Sequence, residues 1–390
     1  MKTFLDGGST MDMNRTEQKT IRIGKPYITK TGDGLARLCA DVTILNRTRQ
    51  LWYGVEERYE FALTQDRSDP FVAAMVHTGM QLGADILCEE PVSQRLLYKI
   101  NHSYIPALAF AFRDLKEMQV IAEPAGPHET KGAVGCGGSF GVDSLYTIIQ
   151  NSRGYYPVTH LCLFNAGSFG GEPGRKLFQR HYELVHAYAE QKGMDSLFVD
   201  TNLYEIPDES WPNVSTQRFL SVLLALQGLF GTYHYAATFR DEQFRFSESN
   251  SAYYDPLTVN CFATDSLRLF LSGASASRTD KLMALADYPE EAARLHPCAR
   301  RQAWEKNCSE CEKCVRDMMV IYAAKKTDRF ARAFDFDGFE KQMQTRLASV
   351  LREKEDILTA EAFEYWKNQG LPVPEQLCDT MTAQHNGCPL

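Results

Sequence analysis

The chain has no long hydrophobic run. Its longest apolar stretch, Phe219 to Phe230, falls short of the ~20 residues a membrane-spanning helix needs. No N-terminal segment joins a charged start to an apolar run, so no secretory signal is read. Positive charge is in deficit, with 42 Lys and Arg against 50 Asp and Glu, a net charge of −8 and a pI near 5.7. Extended nucleic-acid contact, as with tRNA, is therefore not expected, although a local basic patch is compatible with that balance. Internal repeats and low-complexity tracts are also missing. Without a secretory signal, the 11 cysteines read as reduced thiols of a cytoplasmic protein, not as a disulfide framework. The 390 residues, 44% of them hydrophobic, suffice for more than one core and suggest two or three domains.

The informative segment is Gly132 to Ile149, which reads as a strand end, a glycine-rich turn and the first turns of a helix. Gly137, Gly138 and Gly141 allow a sharp turn and close approach of backbone to a ligand. The helix beginning at Val142 directs its first free N–H groups into that turn, which makes an anion site. Ser139, Ser144 and Thr147 add hydroxyls, and Asp143 adds a carboxylate able to hold Mg2+ on a phosphate. A Walker A loop is excluded because no lysine follows the glycines, and the dinucleotide fingerprint fails where Phe140 replaces its third glycine. Gly137-Gly138-Ser139-Phe140-Gly141 does satisfy the G-x-S-x-G nucleophile elbow, which would make Ser139 a nucleophile.

Ser139-Phe140-Gly141-Val142-Asp143-Ser144 resembles the SGGxDS signature of the PP-loop ATP pyrophosphatases, with Phe140 in place of the first glycine of the pair. A second pattern lies at Cys298, Cys308, Cys311 and Cys314, where two overlapping C-x2-C steps follow an upstream cysteine. Four thiolates make a closed tetrahedral site of the structural zinc kind. An iron–sulfur cluster fits less well, because the ferredoxin continuation C-x3-C-P is missing. His296, beside a proline, reads as a group that packs beside the cysteines or orients them and not as a ligand. A glycine loop of this kind followed by these cysteines resembles 7-cyano-7-deazaguanine synthase and its uncharacterised relatives, over about residues 130 to 320. In that family the four cysteines hold structural zinc.

The organisation read along the chain is a disordered leader over 1–18 and an N-terminal α+β domain over 19–128. A nucleotide-binding domain follows over 129–330, with the cysteines at 298–314, and then a C-terminal helical segment over 331–390. Strands are expected at 40–45, 51–56 and 118–122, and helices over 69–83 and 92–112. From 132 onward strands and helices alternate: strands at 159–164 and 196–200, helices over 175–191 and 216–230. Such alternation predicts an α/β fold with a parallel sheet covered on both faces. Ligands of such sheets sit beyond the strand carboxyl ends. That places Asn165, Ala166, Gly167 and Ser168, and also Asp200, Thr201 and Asn202, near the glycine turn; the latter three read equally as a turn or helix cap. The run from Phe219 reads as core or as the interface of a homodimer. Gly273 to Lys281 joins small residues to Arg278 and Lys281, which suits a phosphate or carboxylate site as well as a solvated loop.

The family resemblance implies an ATP-dependent adenylating enzyme with Mg2+ and Zn2+. Gly137 to Ser144 would hold the pyrophosphate, Phe164 to Gly167 the adenine. Asp143, Ser139, Arg278 and Lys281 would form the catalytic set. A carboxylate or amide oxygen of a small molecule or peptide would be activated for a nitrogen or sulfur nucleophile. Two other readings stand beside it: a nucleotide-binding pseudoenzyme that serves as a partner, and a serine hydrolase built on Ser139.

Overall fold

The computed structural model describes residues 19–169, 172–206, 211–298, 300, 306–351 and 356–373. The leader expected over 1–18 lies outside them, as do residues 374–390. The strands are β1 (Thr20–Ile23), β2 (Tyr27–Lys30), β3 (Leu35–Ile44), β4 (Arg47–Glu56), β5 (Asp85–Cys88), β6 (Val92–Ser93), β7 (Val120–Ile121), β8 (Pro124–Ala125), β9 (Ala133–Gly137), β10 (His160–Asn165), β11 (Asp195–Thr201), β12 (Phe230–Ala236) and β13 (Arg268–Ser272). Eleven of them form one sheet in the order β13-β12-β9-β10-β11-β4-β3-β1-β5-β7, with β2 added on β3. β6 and β8 pair separately.

The five strands from β9 onward are all parallel. The chain steps outward from β9 to β10 and β11, then returns to the other side of β9 for β12 and β13. That reversal makes a crevice at the carboxyl end of β9, where such sheets bind ligands. Hydrophobic side chains alternate along β10 to serve both faces. Leu161 joins the core of helices Val142–Gln150, Glu172–Gln191, Arg278–Ala286 and Glu312–Ala323, whereas Cys162 and Phe164 join the core of helices Asp69–Leu82 and Trp211–Leu224. The expected α/β class and covered, mostly parallel sheet are therefore present.

One expectation fails in this half. The helix read over 216–230 ends at Leu224, and Phe230 instead opens β12. Gly228 turns the chain between them; a Cβ there would meet the Phe61 carbonyl oxygen at 2.5 Å. Leu220, Val222, Leu223 and Leu224 are all buried, so these residues of the run are core.

The N-terminal strands extend the same sheet. β3 and β4 form a hairpin whose Leu45-Asn46 turn has both φ angles positive, the geometry that suits the strand twist. β4 then pairs antiparallel with β11. Asn202 fastens this junction, accepting from the Trp52 N–H and donating to the Gln50 carbonyl. The helical stretch expected over 92–112 is Gln94–Lys99 and Ile105–Ala111, joined by a π turn over Ile100–Tyr104. At the other end, helices Met343–Leu351 and Ile357–Asn368 pack on Glu312–Ala323, with Trp366 and Phe339 buried in their core.

Candidate functional site

The site grows from the end of β9. Gly138 donates its N–H to the Cys162 carbonyl (2.8 Å), which commits that amide to the sheet. Its glycine identity comes from packing, since a Cβ would approach Val185 to 2.7 Å. The sequence reading assigned Gly138 to phosphate; in the structure its N–H serves the Cys162 carbonyl and its missing side chain leaves room for Val185. Gly141 is the N-cap of helix Val142–Gln150, with no side-chain cap on the helix start. The amides of Val142, Asp143 and Ser144 therefore have no helical carbonyl to serve, and the helix dipole adds positive potential there. Ser139 and Ser144 share a hydroxyl–hydroxyl bond of 3.1 Å beside them, and Ser144 also reaches the Gly141 carbonyl (3.3 Å).

Phe140 has φ = +56°, a conformation usually left to glycine. An L-residue there costs roughly 1–2 kcal/mol. Its ring is 3% exposed and turns away into the helix layer, 5.4 Å from the Tyr188 ring and 5.9 Å from His181. Its carbonyl accepts the His296 N–H at 2.8 Å, which ties the loop to the cysteine-bearing segment. His181 beside it is held near pKa 4, chiefly by burial and then by His296.

Charged groups converge on the first turn of the same helix. Asp143 accepts from Arg278 Nη1 and from Lys281 Nζ, each at 2.9 Å, one on each carboxylate oxygen. Lys281 is 1% exposed and also donates to the Ala237 carbonyl at the end of β12 (2.6 Å). Arg278 grips Asp317 through Nε and Nη2, both at 3.1 Å, and Asp317 is fully buried. Burial opposes the charge on Arg278, but Asp317 and Asp143 more than offset it and raise its pKa. Helix Arg278–Ala286 starts with a capping box between Ser277 and Asp280, and Glu361 accepts from the Thr279 N–H. Arg278 and Lys281 thus join Asp143 at the crevice.

The residues expected around adenine are divided. Phe164 and Ala166 are core, the Phe164 ring lying 4.8 Å from Phe219. Asn165 donates to Asp200 (2.8 Å), which also pairs with Arg175 (2.9 Å); burial raises the Asp200 pKa while Arg175 lowers it. Gly167 has φ = +120° where the chain leaves β10.

The four cysteine sulfurs lie within 4.8 Å of one another. Individual separations are 3.5 Å (Cys311–Cys314), 3.9 Å (Cys308–Cys314) and 4.0 Å (Cys298–Cys311). A tetrahedron with ~2.3 Å Zn–S bonds has edges of about 3.8 Å, so the group can hold one metal ion such as zinc. A multi-iron cluster needs wider spacing. Ser309, at φ = +58°, makes the turn, and the Cys311 N–H points at the Cys308 sulfur (3.2 Å). Hydrogen bonding to Cys311, with burial and the other thiols, raises the Cys314 pKa; a bound cation would reverse that repulsion.

Of the histidines that could serve a Ser139 hydrolase, His234 is engaged elsewhere, whereas His181 and His296 flank Phe140. The His234 ring bonds Ser272 and the Tyr156 carbonyl, both at 2.9 Å, and the Ser139 hydroxyl bonds Ser144. Asp255 is buried against Thr216 with its pKa pushed up to about 8, and Asp200 serves Arg175. Sequence reading missed Asp317, although a carboxylate between Val315 and Met318 interrupts an otherwise apolar helix face. Among the described residues, no helix is long and apolar enough to cross a membrane. No protein family, curated protein or solved structure matches the chain.

Proposed function

We propose that the chain is an ATP pyrophosphatase of the PP-loop type, which adenylates a carboxylate or amide oxygen of a small molecule or peptide. One observation carries this reading: an uncapped helix start behind a glycine turn, at the reversal of strand order, with Asp143 in its first turn. The left-handed backbone of Phe140 supports it, because that is the position at which the SGGxDS signature has glycine.

The residues fit the nucleotide. A Cβ at Gly141 would meet only Ser139 Oγ at 3.6 Å, so the backbone there is open to close approach. Asp143, with the Ser139 and Ser144 hydroxyls, suits Mg2+, which takes one or two carboxylates and completes its shell from phosphates and water. Mg2+ bound there supplies charge neutralisation on the phosphates. The amides of Val142, Asp143 and Ser144 donate to the β and γ phosphates, and Arg278 and Lys281 stabilise charge as it develops. The substrate oxygen attacks the α-phosphorus, and the bond to the bridging oxygen breaks to release pyrophosphate. A nitrogen or sulfur nucleophile then displaces AMP. Catalysis is positioning and electrostatics, with no protein nucleophile. The four cysteines would hold a zinc ion, whose bond to Cys314 would help fix helix Glu312–Ala323 and hence Asp317.

Equilibrium dialysis with ATP and Mg2+ tests the site. Wild type should bind ATP and discriminate against GTP, and Asp143→Ala should lose Mg2+-dependent binding. Absence of ATP binding by the wild-type protein would remove the proposal.

A further inference from the structure

The arrangement around Asp143 has a consequence for how an anion enters. Lys281 and Arg278 are buried, at 1% and 8% exposure, whereas the Asp143 side chain is 19% exposed. The carboxylate lies over the two cations and occupies one donor of each, at 2.9 Å. Its two oxygens each accept from one of the cations. The remaining partners differ: Arg278 keeps its two-point grip on Asp317, and Lys281 keeps the Ala237 carbonyl. Glu361 adds negative charge near Arg278.

We infer that Asp143 is a built-in placeholder for a polyphosphate anion, and that Arg278 and Lys281 form the anion site it covers. This rests on the adenylating reading for the identity of the natural ligand, a nucleoside triphosphate, though not for the anion site itself. With Asp143 in place, the carboxylates Asp143 and Asp317 offset the two cations and Glu361 adds further negative charge, so a free anion gains little. When a divalent cation accompanies the polyphosphate, Asp143 has an alternative partner and the two cations are handed to phosphate oxygens. Asp317 is the positioning residue that keeps Arg278 aimed while Asp143 moves. The site therefore admits a polyphosphate with its metal in preference to the bare anion. Self-occupancy lowers apparent affinity by the fraction of molecules in which the site is free.

The test is calorimetric titration of inorganic tripolyphosphate in EDTA into wild type and Asp143→Asn. The amide keeps the shape and accepts from one cation, but removes one negative charge from beside the two cations. Asp143→Asn should bind the metal-free anion at least about tenfold more tightly than wild type, although it loses the metal handle. Equal or weaker binding would overturn the inference. A parallel titration of wild type with ATP and Mg2+ separates the two ideas. If ATP binds and the variant shows no gain, the placeholder fails and the adenylating reading stands. If ATP does not bind and the gain appears, the placeholder stands alone. Should the variant not fold, wild type decides: it must bind tripolyphosphate with Mg2+ at least about tenfold more tightly than without, and Lys281→Met must weaken both. Equal affinities would refute the placeholder.

Discussion

Phe140 sets two opposing energies against each other, and two substitutions separate them. Its ring is buried against Tyr188 and His181, while its backbone is held at φ = +56°. Removing a buried Phe side chain costs about 3–5 kcal/mol. Phe140→Ala loses that packing and keeps the left-handed strain, so the whole cost should appear. Phe140→Gly loses the same packing but relieves roughly 1–2 kcal/mol of strain. Glycine gives back about 0.5–1 kcal/mol through backbone entropy. The expected order is wild type, then Gly, then Ala, with Gly above Ala by about 0.5–1 kcal/mol. Urea unfolding followed by tryptophan fluorescence measures it. A glycine variant as stable as wild type would show that the ring's packing is worth no more than the strain its backbone carries. An alanine variant more stable than the glycine variant by the full entropy cost of glycine would show that the backbone is unstrained. Because the ring turns away from the loop amides, ATP affinity should stay near wild type in Phe140→Gly.

Three other outcomes follow from the same structure. Purified protein should carry one tetrahedral metal per chain by elemental analysis, and Cys298→Ser should lose the metal and much of its folding stability, since structural zinc contributes on the order of 10 kcal/mol; a metal-free protein that melts at the same temperature would contradict this. Asp317→Asn leaves Arg278 buried with one carboxylate fewer and should cost about 3–5 kcal/mol; a change below about 1 kcal/mol would refute the buried pairing. Asp255, whose pKa burial raises to about 8, is protonated in the folded chain and ionised when unfolded. Its contribution is fully present below pH ~4 and is lost as pH rises through 8. Asp255→Asn should therefore flatten the stability–pH curve between about 4 and 8, and an unchanged slope would rule out the shift.

The parts of this fold that were legible in sequence carry strong local signals. Asp69-Pro70 and Gly83 bound a helix in both readings, and Gly83 takes the left-handed cap at φ = 61°. The glycine turn and the cysteine spacing likewise appear where their residue types place them. β12 and β13 were not foreseen. The apolar run from Phe219 continues from helix into strand without a change in hydrophobicity, so periodicity there is uninformative. The continuous sheet was also hidden, because pairing of β4 with β11 joins residues far apart in sequence. At the site, Arg278 and Lys281 were visible as a small-residue and basic cluster. Asp317 was not, because only tertiary contact shows what a lone carboxylate on an apolar helix face serves.

The most direct test of the central claim labels ATP at the α-phosphate and asks which product forms. Wild type and Asp143→Ala are incubated with labelled ATP, Mg2+, ammonium and a small-molecule extract, and AMP is resolved from ADP. The account predicts AMP and pyrophosphate from wild type only, dependent on the extract. ADP as the product, or ATP that is bound and never cleaved with any extract, would contradict adenylation.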